Sequence, residues 1–257
     1  MSQNVLAAQL FTVRDFTKTA EDFADTIAKI SAIGYTAVQV SAIGPISPED
    51  VKKICDHHGI TIVNTHIAWP RLQEEISAVI DEHNLWDCRH VAVGAMPFHF
   101  IEAGEEGLRQ FIGEANEVGK TLHEAGLTFS YHNHSFEFIR YGDKCGLEIL
   151  FDETDPRYVQ AELDTYWIQF GGGDVRDWIL RVKDRMPVVH LKDMAMAGWR
   201  EHLMMEVGEG NLNWPGILDA CRQANVEWYA VEQDICPGDP FESLATSYRN
   251  LVQMGLS

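Results

Sequence analysis

Three observations predict an α/β fold, specifically a (β/α)8 TIM barrel that forms a single domain over 1–257. Short apolar runs alternate with segments of helical periodicity, the pair recurs eight times, and no Pro/Gly/Ser linker interrupts the series. Alternation of this kind implies parallel strands joined by helical crossovers. Eight units in 257 residues fit a closed barrel better than an open sheet.

The first unit pairs "VLAAQLFTVR" (5–14) with a helix over 19–34, where Thr19 can cap the start and Gly34 the end. In the second, a strand over 36–42 precedes a helix over 47–59. Ser47 is its N-cap, Pro48 takes the first helical position and Gly59 closes it. The third joins 61–68 to a helix over 71–83, and the fourth joins 90–96 to a long helix over 104–124. The fifth strand, 127–134, reaches its helix at 146–153 through the polar insertion "EFIRYGDKC". A strand over 159–168 with a helix over 174–185 makes the sixth unit. The seventh joins 187–193 to 213–226 after a loop, and the eighth joins 227–234 to 240–254.

Composition narrows the function classes. With 46% hydrophobic residues the chain can bury a sizeable core. A net charge of −19 argues against nucleic acid or an anionic membrane as partner, because both would repel it. No charged-then-apolar leader and no apolar run long enough to span a bilayer is present, so the expected location is cytoplasmic. Cys55, Cys88, Cys145, Cys221 and Cys236 are scattered and never form C-x-x-C, which suggests packing rather than disulfides or a thiolate zinc site.

In a barrel of this type chemistry sits at the C-terminal ends of the strands. His66 ends strand three, His132 and His134 strand five, Glu162 and Asp164 strand six, His190, Lys192 and Asp193 strand seven, and Glu232 and Asp234 strand eight. Barrel strands are buried on both faces, and an isolated charge there costs several kcal/mol unless paired or metal-bound. Imidazole and carboxylate groups converging on one mouth form a mixed N/O set suited to Mn2+, Zn2+, Co2+ or Fe2+. Any one of these residues alone would read as a satisfied polar group at a strand end. His57, His58, His83, His90 and His99 read as surface or packing residues, and Met204 and Met205 as loop packing. Trp69 and Trp167 are either core aromatics or a sugar-facing wall. "VGEG" and "GGGD" do not open a helix in a phosphate-binding pattern.

"QLFTVRD", "YHNHSFEF", "TDPRYVQAELDTYW", "VVHLKDM", "VGEGNLNW" and "YAVEQD", in this order, closely resemble the xylose isomerase-like TIM-barrel superfamily in its sugar phosphate isomerase/epimerase branch. The resemblance spans nearly the whole chain. It implies a divalent metal with ligands from strands five to eight, carried here by Asp164, His190 and Glu232. The first ligand departs from the pattern: where many relatives have Glu in an E-N-H triplet, this chain has His132 in "HNH". Either His132 replaces that carboxylate, or Glu137 or Glu162 supplies the oxygen. The implied chemistry is a metal-dependent isomerase or epimerase acting on a small sugar or polyol through an enediolate intermediate. Glu232 is the expected base, His134, Glu162 or His66 the acid/base across from it, and Lys192, Trp167 and Glu137 the substrate contacts.

Replacing one of two metal-bound carboxylates with imidazole makes symmetric epimerisation less natural, so a lyase or hydratase of 3-keto-glycosides or inosose-type substrates is the alternative. A metal-assisted phosphodiesterase would need a basic face that the charge balance denies. A non-catalytic carbohydrate-binding barrel would not require so many buried charges. The expected partner is a small-molecule sugar or polyol, with no nucleic acid and no membrane; a homo-oligomer is compatible.

Overall fold

The computed structural model describes residues 5–256. Eight parallel strands form the barrel: β1 Leu6–Gln9, β2 Ala37–Val40, β3 Thr61–Thr65, β4 His90–Val93, β5 Thr128–His132, β6 Val159–Glu162, β7 Val188–Leu191 and β8 Trp228–Val231. Continuous pairing runs β3-β2-β1-β8-β7 and β4-β5-β6. Two single bridges close the ring, His66 to Ala92 and Asp164 to His190. Both seams therefore pass through residues expected to do chemistry.

Inside the barrel, Ala7, Ala37 and Val63 fill the lower layer. Two residues further along β1 and β2, and so on the same face, come Gln9 and Gln39. Their side chains reach the polar groups of other strands: Gln39 bonds Glu162 and His190, and Gln9 bonds His66. The outer faces of the strands pack under helices. The first of these, α1 (Ala20–Ile33), starts in a capping box between Thr19 and Asp22 and buries Phe23, Ile27 and Ile30, each worth roughly 1.5–3 kcal/mol. The second, α2 (Pro48–His57), begins at the expected Ser47 cap and Pro48. Among the described residues no helix is long and apolar enough to cross a membrane.

Several expected boundaries move. The run 5–14 is strand only to Gln9. There the side-chain Oε1 accepts from Phe11 N at 2.9 Å and turns the chain into a 3-10 helix, Leu10–Phe16. The helix expected over 71–83 is two, α3 Trp69–Glu74 and α4 Ile76–Trp86, broken at the non-helical Glu75. The fourth connection holds α5 (Phe98–Glu102) before α6 (Gly104–Glu124). The insertion after β5 contains a 3-10 turn, Phe136–Phe138, and a small hairpin, Arg140–Tyr141 with Lys144–Cys145, before α7 (Gly146–Glu153). The sixth strand stops at Glu162 instead of running to 168. Asp164 caps a short helix there, α8 (Thr165–Phe170), which is followed by α9 (Val175–Arg181). After β7 comes a hairpin, Asp193–Met196 with His202–Met205, and then α10 (Trp214–Gln223). The chain closes with α11 (Pro240–Gln253).

Candidate metal centre at the barrel mouth

One donor atom from each of His132, Asp164, His190 and Glu232 lies within 4.8 Å of the others, and all four residues are buried. Ligands on opposite sides of an ion with bonds of about 2.0–2.4 Å stand about 4–5 Å apart, so these spacings suit one common ion. Local structure explains how each donor is aimed. Asp164 divides its carboxylate: Oδ1 accepts from Trp167 N at 2.9 Å as the cap of α8, which leaves Oδ2 facing the barrel axis. Its backbone N–H is held in turn by Asn133 Oδ1 at 3.0 Å. The asparagine between the two histidines of "HNH" is thus a strut for the next strand.

His132 tests whether the set fits a metal. Its Nδ1–H donates to the Gly94 carbonyl at 3.0 Å, so Nε2 presents a lone pair, 3.3 Å from Asp164 Oδ2. Burial, with His190 nearby, lowers the basicity of His132 and keeps the ring neutral. A neutral imidazole nitrogen beside a carboxylate oxygen, presented by adjacent strands, is an N/O pair that suits a borderline divalent ion.

His190 is shared between two groups. Its Nδ1 lies 2.8 Å from Glu232 Oε2, and its Nε2 lies 2.8 Å from Gln39 Oε1 and 3.1 Å from Glu162 Oε1. Burial works against the charged ring, but Glu162 and Glu232 outweigh it and push the pKa up to about 10. A metal would have to expel that Nδ1 proton.

Glu162, expected as an acid/base, does not line the mouth. It is fully buried, and its oxygens accept from Gln39 Nε2 at 3.0 Å, Asn64 Nδ2 at 2.5 Å, His66 Nε2 at 2.7 Å and His190 Nε2. Burial works to raise its pKa, yet His190 and His66 hold it well below the carboxylate range. His66 does line the mouth, with both ring nitrogens engaged: Nε2–H on Glu162, and Nδ1 accepting from Gln9 Nε2 at 3.3 Å. A side chain at Gly94 would meet His66, because a Cβ there would sit 2.8 Å from Nδ1.

A cavity of about 370 Å3 opens above these groups, lined by His66, Trp69, His132, His134, Lys192, Glu232 and Asp234 among others. His134 Nδ1 is buried without a partner, and burial, reinforced by His132 and Lys192, lowers its pKa to about 3, so the ring is neutral. Trp69 lines the cavity, and its indole Nε1 is likewise unpartnered. Trp167 stands behind the wall, its ring centroid 5.1 Å from that of His134 and 5.7 Å from Lys192 Nζ. Glu137, expected as a substrate contact or ligand, is turned away from the mouth. Tyr131 Oη–H donates to it at 2.6 Å and His134 N at 3.0 Å, and burial raises its pKa to about 7. It braces the turn after β5.

Asp193 also leaves the site. Its carboxylate accepts from the backbone N–H of Met194, Gly208, Gly210 and Leu212 and from Trp214 Nε1. This explains "VGEG" without a phosphate: a Cβ at Gly210 would sit 2.3 Å from Asp193 Oδ1. The residues missed in the sequence are the amides Gln9, Gln39 and Asn64. Their signal was a lone amide inside otherwise apolar runs, "AAQL", "AVQV" and "TIVNT".

Fold and site together define a (β/α)8 barrel with a buried His/Asp/Glu cluster at its catalytic end. Residues 27–242 match the model of the xylose isomerase-like TIM barrel family, and the chain belongs to that family. A curated relative, an inosose dehydratase of Geobacillus thermodenitrificans, is 28% identical over 155 residues, covering 54% of this chain and 51% of that protein. The chain thus spans about half the length of that relative. Among solved structures, a sugar phosphate isomerase/epimerase from Parabacteroides distasonis superposes with a TM-score of 0.84 at 22% identity, covering 99% of this chain and 96% of the other. A probable 3-DHS dehydratase from Bacillus anthracis gives 0.75 at 12% identity, covering 96% and 98%. These likenesses establish the fold.

Proposed function

We propose that this chain is a metal-dependent lyase that removes water from a small keto-sugar or keto-polyol. The observation that carries the reading is the asymmetry of the cluster, with His132 in the place where a second metal-bound carboxylate would make the two faces of the substrate equivalent. His132, Asp164, His190 and Glu232 are the proposed ligands. A divalent ion held there would supply Lewis acidity at the substrate's keto oxygen.

The chain's own residues do the rest. Glu232 lines the cavity and is the proposed base for the proton on the carbon next to the carbonyl. The electron pair forms a carbon–carbon double bond as the hydroxyl on the following carbon departs as water, taking the proton that Glu232 removed and leaving an unsaturated ketone with Glu232 again a carboxylate. Neutral His134 hydrogen-bonds the departing hydroxyl, and His66, its two ring nitrogens taken by Glu162 and Gln9, shapes the wall of the cavity. Trp69 offers an unpartnered indole N–H at the wall, and Trp167 stiffens His134 and Lys192 from behind. The inosose dehydratase similarity supports this reaction class.

A second reading, 3-epimerisation, shares the first proton abstraction and is favoured by one feature: Glu232 and His134, whose Nδ1 has no partner, line the same cavity, so a second group stands ready for the proton's return. Incubation of a panel of keto-inositols and keto-sugars with Mn2+ or Co2+, in deuterated solvent, separates the two. Lyase action gives water loss, seen as the absorbance of an unsaturated ketone, whereas epimerase action gives inverted substrate carrying deuterium. Neither outcome with any substrate, in protein shown to hold metal, would sink the proposal. Wild-type exchange in Glu232→Gln would remove its base role.

A further inference from the structure

The same two carboxylate oxygens that face the histidines also hold an internal cation. Lys192 Nζ lies 3.1 Å from Asp164 Oδ2, 2.7 Å from Glu232 Oε2 and 2.7 Å from Asp234 Oδ1. The contact to Asp234 is a hydrogen bond, the other two are ion pairs, and the lysine side chain is 1% exposed. Asp164 Oδ2 is the atom 3.3 Å from His132 Nε2, and Glu232 Oε2 the atom 2.8 Å from His190 Nδ1. An ion bound by these four residues would share both oxygens with the ammonium, and two cations a few ångströms apart repel strongly in a buried site. Asp234 differs from the other two acceptors. It is absent from the four-residue cluster, its side chain is 19% exposed, and it stands at the cavity wall beside Lys192.

From this we infer that Lys192 is the resident counter-ion of the metal-free site, and that Asp234 is its docking carboxylate. A divalent ion displaces the ammonium from Asp164 and Glu232, and Asp234 retains it at the cavity wall, where it is free to meet a substrate oxygen. Metal binding and readiness to bind substrate are thereby coupled through one side chain. Asp234 is a positioning residue that acts through Lys192 rather than on the ion. The inference rests on the proposed metal site but not on the identity of the reaction.

The test is a double-mutant cycle read by calorimetric Mn2+ affinity and by the visible spectrum of bound Co2+, with no turnover measurement needed. Lys192→Met should bind Mn2+ at least about 10-fold more tightly than wild type, since the competing charge is gone. Asp234→Asn, which deletes the docking site and leaves the ammonium on the ligand oxygens, should bind about 10-fold more weakly. Adding Asp234→Asn to Lys192→Met should change affinity by less than about 2-fold. Unchanged or weaker binding in Lys192→Met overturns the inference, as does an equal loss from Asp234→Asn in both backgrounds, which would mean that Asp234 acts by its own charge. If Lys192→Met does not fold without metal, Asp234→Asn alone decides, because tighter or unchanged binding there contradicts the docking role. Heat in Lys192→Met but not in wild type would be the strongest form of the same competition. No heat in any variant overturns both this inference and the metal site. The expected order of affinities with no dehydration or epimerisation of any keto-sugar would overturn the proposed reaction alone.

Discussion

Glu162 and Asp164 stand two residues apart at the end of one barrel strand, both fully buried, in opposite surroundings. Glu162 is closed, with Gln39, Asn64, His66 and His190 all donating to it. Asp164 is open on one side: Oδ1 caps a helix, while Oδ2 faces a histidine lone pair and a lysine that two other carboxylates also claim. A buried polar group that is fully satisfied holds structure together, whereas one that is only half satisfied marks the place where something else binds. His190 belongs to both groups and couples the scaffold to the site.

The largest expected break in this contrast is removal of a ligand on the open side. Asp164→Ala should lower turnover at least about 1000-fold with loss of bound metal, because the proposed ion would supply the electrophile, while the circular dichroism of the folded chain is retained. An active Asp164→Ala enzyme would end the assignment. Glu162→Gln should show the reverse pattern. Leaving buried donors without their carboxylate costs about 3 kcal/mol, or roughly 6–12 °C in melting temperature for a chain of this size, with metal affinity reduced much less than in Asp164→Asn. Equal melting temperatures for Glu162→Gln and Asp164→Asn would erase the distinction between a closed and an open carboxylate.

His83 is a control away from the mouth. It is buried, with Nδ1–H donating to the Val79 carbonyl at 2.7 Å and Nε2 accepting from Thr65 Oγ1 at 2.8 Å, and burial lowers its pKa to about 4. The folded state therefore binds this proton less readily than the unfolded chain does. Its contribution is intact above about pH 6.5 and is lost as pH falls toward 4, up to about 3 kcal/mol. Denaturant melts across that range should show a steeper acid loss in wild type than in His83→Gln, and identical slopes would refute the assignment. The smallest effect is expected at Gly94, whose missing side chain leaves room for His66 and whose carbonyl orients His132. Gly94→Ala should cost about 10-fold in kcat/KM, in the range for groups that orient metal ligands, with little change in melting temperature.

Much of this protein was legible in the chain itself. The eight strand-helix units, the caps at Thr19 and Ser47, and the gathering of polar strand-end groups at one mouth follow from apolar periodicity and from charges placed at the ends of apolar runs, which are local signals. The choice of His132, Asp164, His190 and Glu232 among those groups came with the family resemblance. What only the tertiary structure decided is which of those strand-end groups face the mouth and which are consumed on the way. Glu137 and Asp193 carry the same chemistry as their neighbours, yet one braces a turn and the other gathers five donors from a loop up to 21 residues away. Glu162 is saturated by Gln39 and Asn64 from strands near the start of the barrel, separated from it by 123 and 98 residues. The sequence determines which groups can bond. The partner each one finds depends on barrel closure and strand register, which bring distant residues level, and no local pattern encodes that distance.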